Sequence, residues 1–339
     1  MVNRFGALAP ANRLSDARPF FEGLRSAVAS LSLLFVATLW SGALQAESVR
    51  IQDALSDVLP QAMVEAPSRP LLWRVQHPDQ PEPVYLFGAL HFGDDSFFPL
   101  PDKVLDAYRD SDLLAVELDV SQVGPDRMHA TLARMGRYPS GVQLSERIAP
   151  ALWEQLSQAS QRLGLQTESI VHLRPWLAAL QLVNLQVARS DYRAGQGVDR
   201  YFLDLARGDK PVEPLETLEQ QLSLFAGMTE VEQSAFLEHT LEDLEATGPQ
   251  LRRMARAWRE GDRSDLESVI LGAFDREDHF SRTLYQRVFK TRNEAMASAV
   301  ESYLSAQQRV FLVVGIGHLI GPDGLVDNLR QAGYRIEQL

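Results

Sequence analysis

Two histidines occupy the same sequence context, the last position of a G-x-x-H tetrapeptide that closes an apolar run. The first tetrapeptide, Gly88 to His91, ends the run YLFGAL, and the second, Gly315 to His318, follows VFLVV. Ligands of open α/β sheets bind beyond the carboxyl ends of strands. The two histidines are therefore a candidate catalytic or metal-binding pair. A single histidine at a strand end is more often a structural core residue, and both interpretations stay open.

Glu117 lies inside the apolar run LLAVELDV. A carboxylate buried there without a partner would be costly, so it would need a metal ion, an arginine or a histidine beside it. The alternative is a strand face open to solvent, because Glu117 and Asp119 share one face in a strand. The sequence does not decide between them.

Arg292 interrupts the apolar stripe of a long helix predicted from about 280 to 305. It either extends its guanidinium to solvent or pairs with a carboxylate such as Glu117, Glu216 or one on a substrate. Glu216 follows a predicted strand at 211–215 and is either a site residue or a helix cap. Asp199 in GQGVDRYF opens a predicted helix, where an acid is favourable, with a site role as the alternative.

The elements that must position these residues come from both ends of the chain. Strands are predicted at 71–75 and 83–90, joined as a hairpin, and at 113–120 after a short helix. A buried strand within 309–319 and an edge strand at the C-terminus complete the set. The fold class is α/β, with a mixed central sheet formed by N- and C-terminal strands and a large helical insertion at about 140–308.

Composition excludes several classes of protein. The chain has 339 residues and a net charge of -12, which argues against nucleic acid as a partner. It has no cysteine, and this excludes cysteine nucleophiles, iron–sulfur clusters and disulfides. The motifs H-E-x-x-H and G-x-S-x-G do not occur, so neither zincin chemistry nor a serine-hydrolase elbow is supported.

The N-terminal segment is typical of an export signal. Arg25 precedes an uncharged stretch with the apolar centre LSLLFVATL, and small residues follow it up to Ala46. We expect residues 1–46 to be a signal peptide with its n-region, 47–70 a lead-in, and 71–339 the folded domain. The protein would then be periplasmic or secreted. An uncleaved membrane anchor is the alternative, and it would be the chain's one membrane contact.

Ordered motifs after residue 71 resemble the TraB/GumN family, which includes PrgY and the Tiki proteins. They are YLFGALHF, LLAVELD, GVDRYF, LETLEQQ, TRN and VVGIGHLIG, in this order. The first motif of the family usually has Thr where this chain has Ala89. The resemblance implies a fold similar to the erythromycin-esterase and ChaN-like proteins, with histidine and glutamate in one cleft.

The resemblance to Tiki proteins also implies a metal-dependent hydrolase of peptide or amide bonds. His91, Glu117 and His318 would bind one divalent ion, with manganese or cobalt suspected and zinc possible. Glu216 would act as base or support a histidine, and Arg292 would hold an oxyanion or a substrate carboxylate.

Two alternatives to this metal-dependent enzyme stay open. One is a metal-free hydrolase in which His91 or His318 is the general base and Glu117 orients it. The other is a non-catalytic protein that binds and sequesters a peptide or small ligand in the cell envelope.

Overall fold

The computed structural model describes residues 70–272, 274–275 and 277–339. The predicted signal peptide at 1–46 and nearly all of the lead-in at 47–70 lie outside these residues. Within the described part of the chain, no helix is both long and apolar enough to cross a membrane.

A six-stranded mixed sheet forms the centre of the α/β fold, with strand order β4-β3-β5-β2-β1-β6. The strands are β1 Leu72–Gln76, β2 Pro83–Ala89, β3 Leu113–Val116, β4 Val212–Pro214, β5 Val310–Gly315 and β6 Arg335–Gln338. β2, β5, β3 and β4 run parallel, whereas β1 is antiparallel to both of its neighbours, β2 and β6. The prediction of a mixed sheet built from both ends of the chain is confirmed.

The position of β5 explains why distant parts of the sequence meet. β5 is inserted between β2 and β3, so that Ala89 pairs with Gly315 and Val116 pairs with Val313. Every residue of β2 and β5 is buried, as expected for central parallel strands covered on both faces. The edge strands β4 and β6 are largely exposed.

Helices cover the sheet and fill the long stretch between β3 and β5. They are α1 Asp102–Asp110, α2 Pro125–Gly136, α3 Pro150–Arg162, α4 Thr167–Ile170, α5 Pro175–Ala188, α6 Val198–Ala206, α7 Leu218–Ala226, α8 Glu230–Asp243, α9 Thr247–Glu260, α10 Arg263–Ile270, α11 His279–Tyr285, α12 Thr291–Ser305 and α13 Leu325–Gln331. Several begin with Pro at the first helical position, where a missing N–H costs nothing. α5 is buried almost all round, as its apolar sequence predicts.

Two predicted elements differ from the structure near the site. The strand predicted at 113–120 ends at Val116, so Glu117 lies just beyond β3 rather than inside it. The helix predicted from about 280 to 305 contains a π-helical turn, Gln286–Lys290, between α11 and α12. Such turns are frequent at functional sites, and this one ends two residues before Arg292.

Candidate active site

The carboxyl ends of the four parallel strands lie side by side at one end of the sheet. Each strand is followed by a charged or imidazole side chain. His91 follows β2, Glu117 follows β3, Glu216 follows β4, and His318 ends the 3-10 turn that follows β5. The backbone continues the alignment past the strands, since the N–H of Glu216 donates to the carbonyl of Glu117 at 2.8 Å. The structure thus brings the residues predicted from the sequence to one place.

Arg292 is the centre of this cluster. Its Nε and Nη2 donate to the two carboxylate oxygens of Glu216, each at 2.7 Å, and Nη2 also donates to Glu117 Oε2 at 2.6 Å. Its Nη1 donates to the carbonyl of Val288 at 3.1 Å and lies 2.8 Å from Nε2 of His318. A guanidinium has five N–H donors, and all five have acceptors here. Arg292 therefore has no N–H left for an oxyanion or a substrate carboxylate.

His318 is held from both sides of its ring. Nδ1 lies 2.6 Å from Oδ1 of Asn293, and Nε2 faces Arg292. Burial and the nearby charge of Arg292 lower the pKa of His318 to about 3. The ring is therefore neutral at physiological pH.

His91 lies between two carboxylates. Its Nδ1 is 3.1 Å from Oδ2 of Asp199, and its Nε2 is 3.7 Å from Oε1 of Glu117. Burial acts to lower the pKa of His91, but the charges of Asp199 and Glu117 outweigh it, and the pKa is raised above the ordinary 6.5. His91 thus has one carboxylate on the Nδ1 side of its ring and a second one on the Nε2 side.

Glu117 is ionised and firmly held. Burial alone would raise its pKa, but the charge of Arg292, together with that of a protonated His91, holds the pKa well below its ordinary value. The backbone N–H of Gly315 adds to this effect, because it donates to Oε1 of Glu117 at 2.6 Å. The carboxylate is therefore fixed at both oxygens, by Gly315 and by Arg292.

Two glycines make the close approaches around His91 possible. A Cβ on Gly315 would lie 2.9 Å from His91 Nε2 and 3.3 Å from Glu117 Oε1. A Cβ on Gly197 would lie 2.5 Å from Asp199 Oδ1 and 2.7 Å from the carbonyl carbon of His91. Gly197 thus lets the start of α6 approach the chain after β2, and Gly315 lets the end of β5 lie close to Nε2 of His91 and to Glu117.

The cluster is shielded from solvent. His91, Glu117, Arg292 and His318 are only 5%, 6%, 6% and 4% exposed, respectively. Their charges interact more strongly there than they would in water. Asp199 and Glu216 lie at the margin, with side chains 16% and 13% exposed.

The three side chains implied as metal ligands converge, but a guanidinium lies between two of them. The Nε2 lone pair of His318, which a metal ion would need, is already the acceptor for Arg292. Within 70–272, 274–275 and 277–339, no group of three or more His, Asp or Glu side chains is arranged to hold a metal. The donor set in this arrangement does not fit an ion bound by His91, Glu117 and His318 together.

Two members of the cluster were not among the predicted site residues. Asp199 was interpreted first as a helix N-terminal acid, and it is indeed the second residue of α6, but its side chain also contacts His91. Asn293 was not singled out, although it directly follows Arg292. A signal for Asn293 existed in the TRN motif, whereas the Asp199 contact depends on tertiary structure.

Comparisons with known proteins agree with the arrangement of motifs. A model of the TraB/PrgY/gumN family matches residues 71–338. The chain belongs to this family. The match runs from the residue before β1 to the end of β6, and it includes every residue of the cluster described above.

Two similar proteins within this family carry no assigned function. Both are named uncharacterized protein YbaP, one from Escherichia coli strain K12 and the other from Shigella flexneri. Each is 28% identical over 248 residues, which is 73% of this chain and 87% of the relative. No solved structure gives a significant match.

Proposed function

We propose that the chain is a hydrolase of amide, peptide or ester bonds in which His91 is the general base and no metal ion is required. The observation that carries this proposal is the placement of His91 between Asp199 and Glu117, one carboxylate on each side of its ring. A histidine general base needs an orienting group at one ring nitrogen and a reactant within hydrogen-bond distance of the other.

Asp199 acts on the proton position of His91. A carboxylate 3.1 Å from Nδ1 favours the tautomer with the proton on Nδ1, and this leaves the Nε2 lone pair free to accept a proton. The same carboxylate stabilises the imidazolium that forms once Nε2 has taken the proton. Glu117, on the Nε2 side, accepts the second hydrogen of a water molecule and so orients that water.

The proposed reaction balances with water as the only co-reactant. His91 Nε2 removes a proton from water while the water oxygen bonds to the substrate carbonyl carbon, and the carbonyl π electrons move to its oxygen. As the tetrahedral intermediate collapses, the bond to the leaving nitrogen or oxygen breaks. The His91 imidazolium gives its proton to that atom, which leaves a carboxylic acid and an amine or alcohol.

Arg292 has a structural part in this proposal. With its five donors engaged, it holds Glu117 and Glu216 at fixed positions rather than binding the substrate. Glu216 is then a support for Arg292, not a base. The negative charges of Glu117, Glu216 and Asp199 exceed the single charge of Arg292, and this excess favours the protonated form of His91 that the reaction passes through.

A metal-dependent hydrolase is the second candidate, and the convergence of two imidazoles and a carboxylate favours it. His91 Nε2 and His318 Nε2 lie 3.7 and 3.8 Å from the two oxygens of Glu117, so the three side chains are neighbours. Arg292 would first have to leave His318.

We place the reaction in the cell envelope as part of the proposal, on the basis of the predicted signal peptide alone.

The experiment is a hydrolysis assay on the purified chain in excess chelator. The substrates are p-nitrophenyl acetate, aminoacyl p-nitroanilides and a mixture of short peptides, and the variants are His91→Gln and His129→Gln. His129 is exposed on α2, so its variant controls for the loss of an imidazole. We expect turnover by wild type and His129→Gln and none by His91→Gln. Equal turnover by all three, or tight binding of a peptide without any turnover, would overturn the proposal.

A further inference from the structure

The side chain of Asn293 connects the ring of His318 to the backbone of Asp323. The amide nitrogen of Asn293 donates to the backbone carbonyl of Asp323 at 2.7 Å. Oδ1 of the same side chain lies 2.6 Å from Nδ1 of His318. On the other side of the ring, Nη1 of Arg292 lies 2.8 Å from Nε2.

The donor and the acceptor of each of these contacts follow from the chemistry of the groups. A carbonyl oxygen only accepts, so the NH₂ group of Asn293 faces Asp323 and its oxygen faces His318. That oxygen needs a donor, so Nδ1 of His318 carries the proton. A guanidinium only donates, so Nε2 of His318 must be bare where it meets Arg292. Two independent neighbours therefore assign the same neutral tautomer.

We infer that Asn293 is a positioning residue that holds His318 in its Nδ1-protonated tautomer, and that His318 serves as the acceptor that fixes Arg292. In this role His318 is neither a base nor a metal ligand. Only the predicted effect on turnover rests on the proposed function. His318 would act on the reaction indirectly, because it fixes Arg292 and Arg292 fixes Glu117. The tautomer itself follows from the hydrogen bonds alone.

The opposite tautomer would disrupt the cluster. A proton on Nε2 would point at an N–H of Arg292, and Nδ1 would face the oxygen of Asn293 with no proton between them. Asn293 and His318 are 1% and 4% exposed, so water could not satisfy the groups left unpaired. Arg292 would have to move away from His318, and Glu117 would lose the geometry that Arg292 imposes.

The chain supplies a matched control for Asn293. Asn328 on α13 also donates its side-chain amide to the carbonyl of Asp323, at 3.3 Å, but no hydrogen bond joins it to His318. Asn293→Leu and Asn328→Leu therefore remove a hydrogen bond to the same carbonyl. Only the first also removes the acceptor for Nδ1. A third variant, Asn293→Asp, keeps an oxygen facing His318 and loses the link to Asp323.

The test is ¹⁵N NMR of histidine-labelled protein at pH 7, with His318 assigned by a His318→Gln variant. We expect the pattern of Nδ1–H and bare Nε2 in wild type, Asn328→Leu and Asn293→Asp. In Asn293→Leu only Arg292 still opposes the other tautomer, so we expect a second population with the proton on Nε2. In the ester assay, kcat of Asn293→Leu should fall at least about tenfold while KM changes by less than about twofold. Asn328→Leu should keep the wild-type kcat.

The outcomes separate this inference from the proposed function. A wild-type spectrum with a proton on Nε2, or with both nitrogens protonated, would overturn the inference whatever the enzyme does. An Asn293→Leu spectrum identical to that of wild type, with no population protonated on Nε2, would also overturn the positioning role. The expected tautomers in a protein without hydrolase activity would leave the inference standing and refute the proposed function. If Asn293→Leu does not fold, the wild-type and Asn293→Asp spectra still decide.

Discussion

Arg292 and Glu117 are 175 positions apart in the sequence, yet Nη2 of the arginine donates to Oε2 of the glutamate at 2.6 Å in a solvent-shielded site. This pair joins the start of α12 to the carboxyl end of β3. It ties the helical insertion to the sheet at the point where the four parallel strands end. The pair therefore links the stability of the fold to the geometry of the candidate active site.

Replacing Arg292 by lysine should destabilise the protein strongly. Lysine has three donors on one nitrogen and cannot satisfy the five acceptors that surround the guanidinium. Lysine keeps the charge but leaves at least two of these buried acceptors unsatisfied, at about 1–3 kcal/mol each, and we expect Arg292→Lys to lower the free energy of unfolding by about 3 kcal/mol. Urea denaturation measures this change. Arg74→Lys, at an exposed pair with Glu337, is the control and should change stability by less than about 0.5 kcal/mol.

Replacing Asp199 by asparagine should alter both rate and pH dependence. The neutral form of His91 is the active one, so kcat/KM rises with pH through the pKa of His91, which Asp199 and Glu117 raise above 6.5. Without the Asp199 charge that pKa falls, so the acid limb of the profile should move to lower pH. The maximal rate should drop about 100-fold or more, because the tautomer is no longer imposed.

The control for this variant lies on the same helix. Asp204→Asn removes an exposed carboxylate of α6 that pairs with Arg200 and Arg207, and its pH profile should match that of wild type. If Asp199→Asn gives an unshifted acid limb, Asp199 does not act on His91.

Adding a methyl group at Gly315 should block the site without unfolding the protein. The Cβ of Gly315→Ala would lie 2.9 Å from His91 Nε2, closer than a carbon and a nitrogen normally approach, so the ring must shift. We expect a loss of about 100-fold in kcat/KM, since displacements of about 1 Å have effects of that size. Gly124→Ala is the control, because a Cβ there meets nothing within 4 Å. Full activity in Gly315→Ala would place the reaction elsewhere.

Acid should weaken wild type more than a Glu117→Gln variant. The pKa of Glu117 is lower in the folded protein than its ordinary 4.5, so its ionisation contributes stability that is fully present above pH 4.5. That contribution is lost as pH falls below 4.5 towards the folded pKa. Glu117→Gln lacks it at every pH, and its midpoint in thermal unfolding should change less between pH 7 and pH 3. Parallel curves for the two proteins would contradict this.

The sequence was sufficient for the parts of the fold that depend on local patterns. The apolar runs ending in Gly-x-x-His predicted β2 and β5 and the placement of His91 and His318 at strand ends. The isolated charges of Glu117 and Arg292 in apolar surroundings predicted that each needs a partner. Because an unpaired buried charge is so costly, a single sequence can reveal that a partner exists.

The sequence could not reveal which groups pair. From the sequence, Arg292 could pair equally well with Glu117, Glu216 or a substrate. The strand order places β3 beside β4, and in the folded protein Arg292 contacts both glutamates. The contact between Asp199 and His91 depends on Gly197 allowing two loops to touch. β3 ends at Val116, and the Glu117 carboxylate accepts from the N–H of Gly315, a contact 198 positions away that the local pattern does not contain.

Turnover of p-nitrophenyl acetate during a titration of the chelated protein with manganese ions tests the central claim most directly. The His91 general base with Asp199 behind it predicts full turnover before any metal is added and no increase afterwards, together with its loss in His91→Gln. Turnover that starts at zero and rises in proportion to added manganese until one ion is bound per chain would contradict the account.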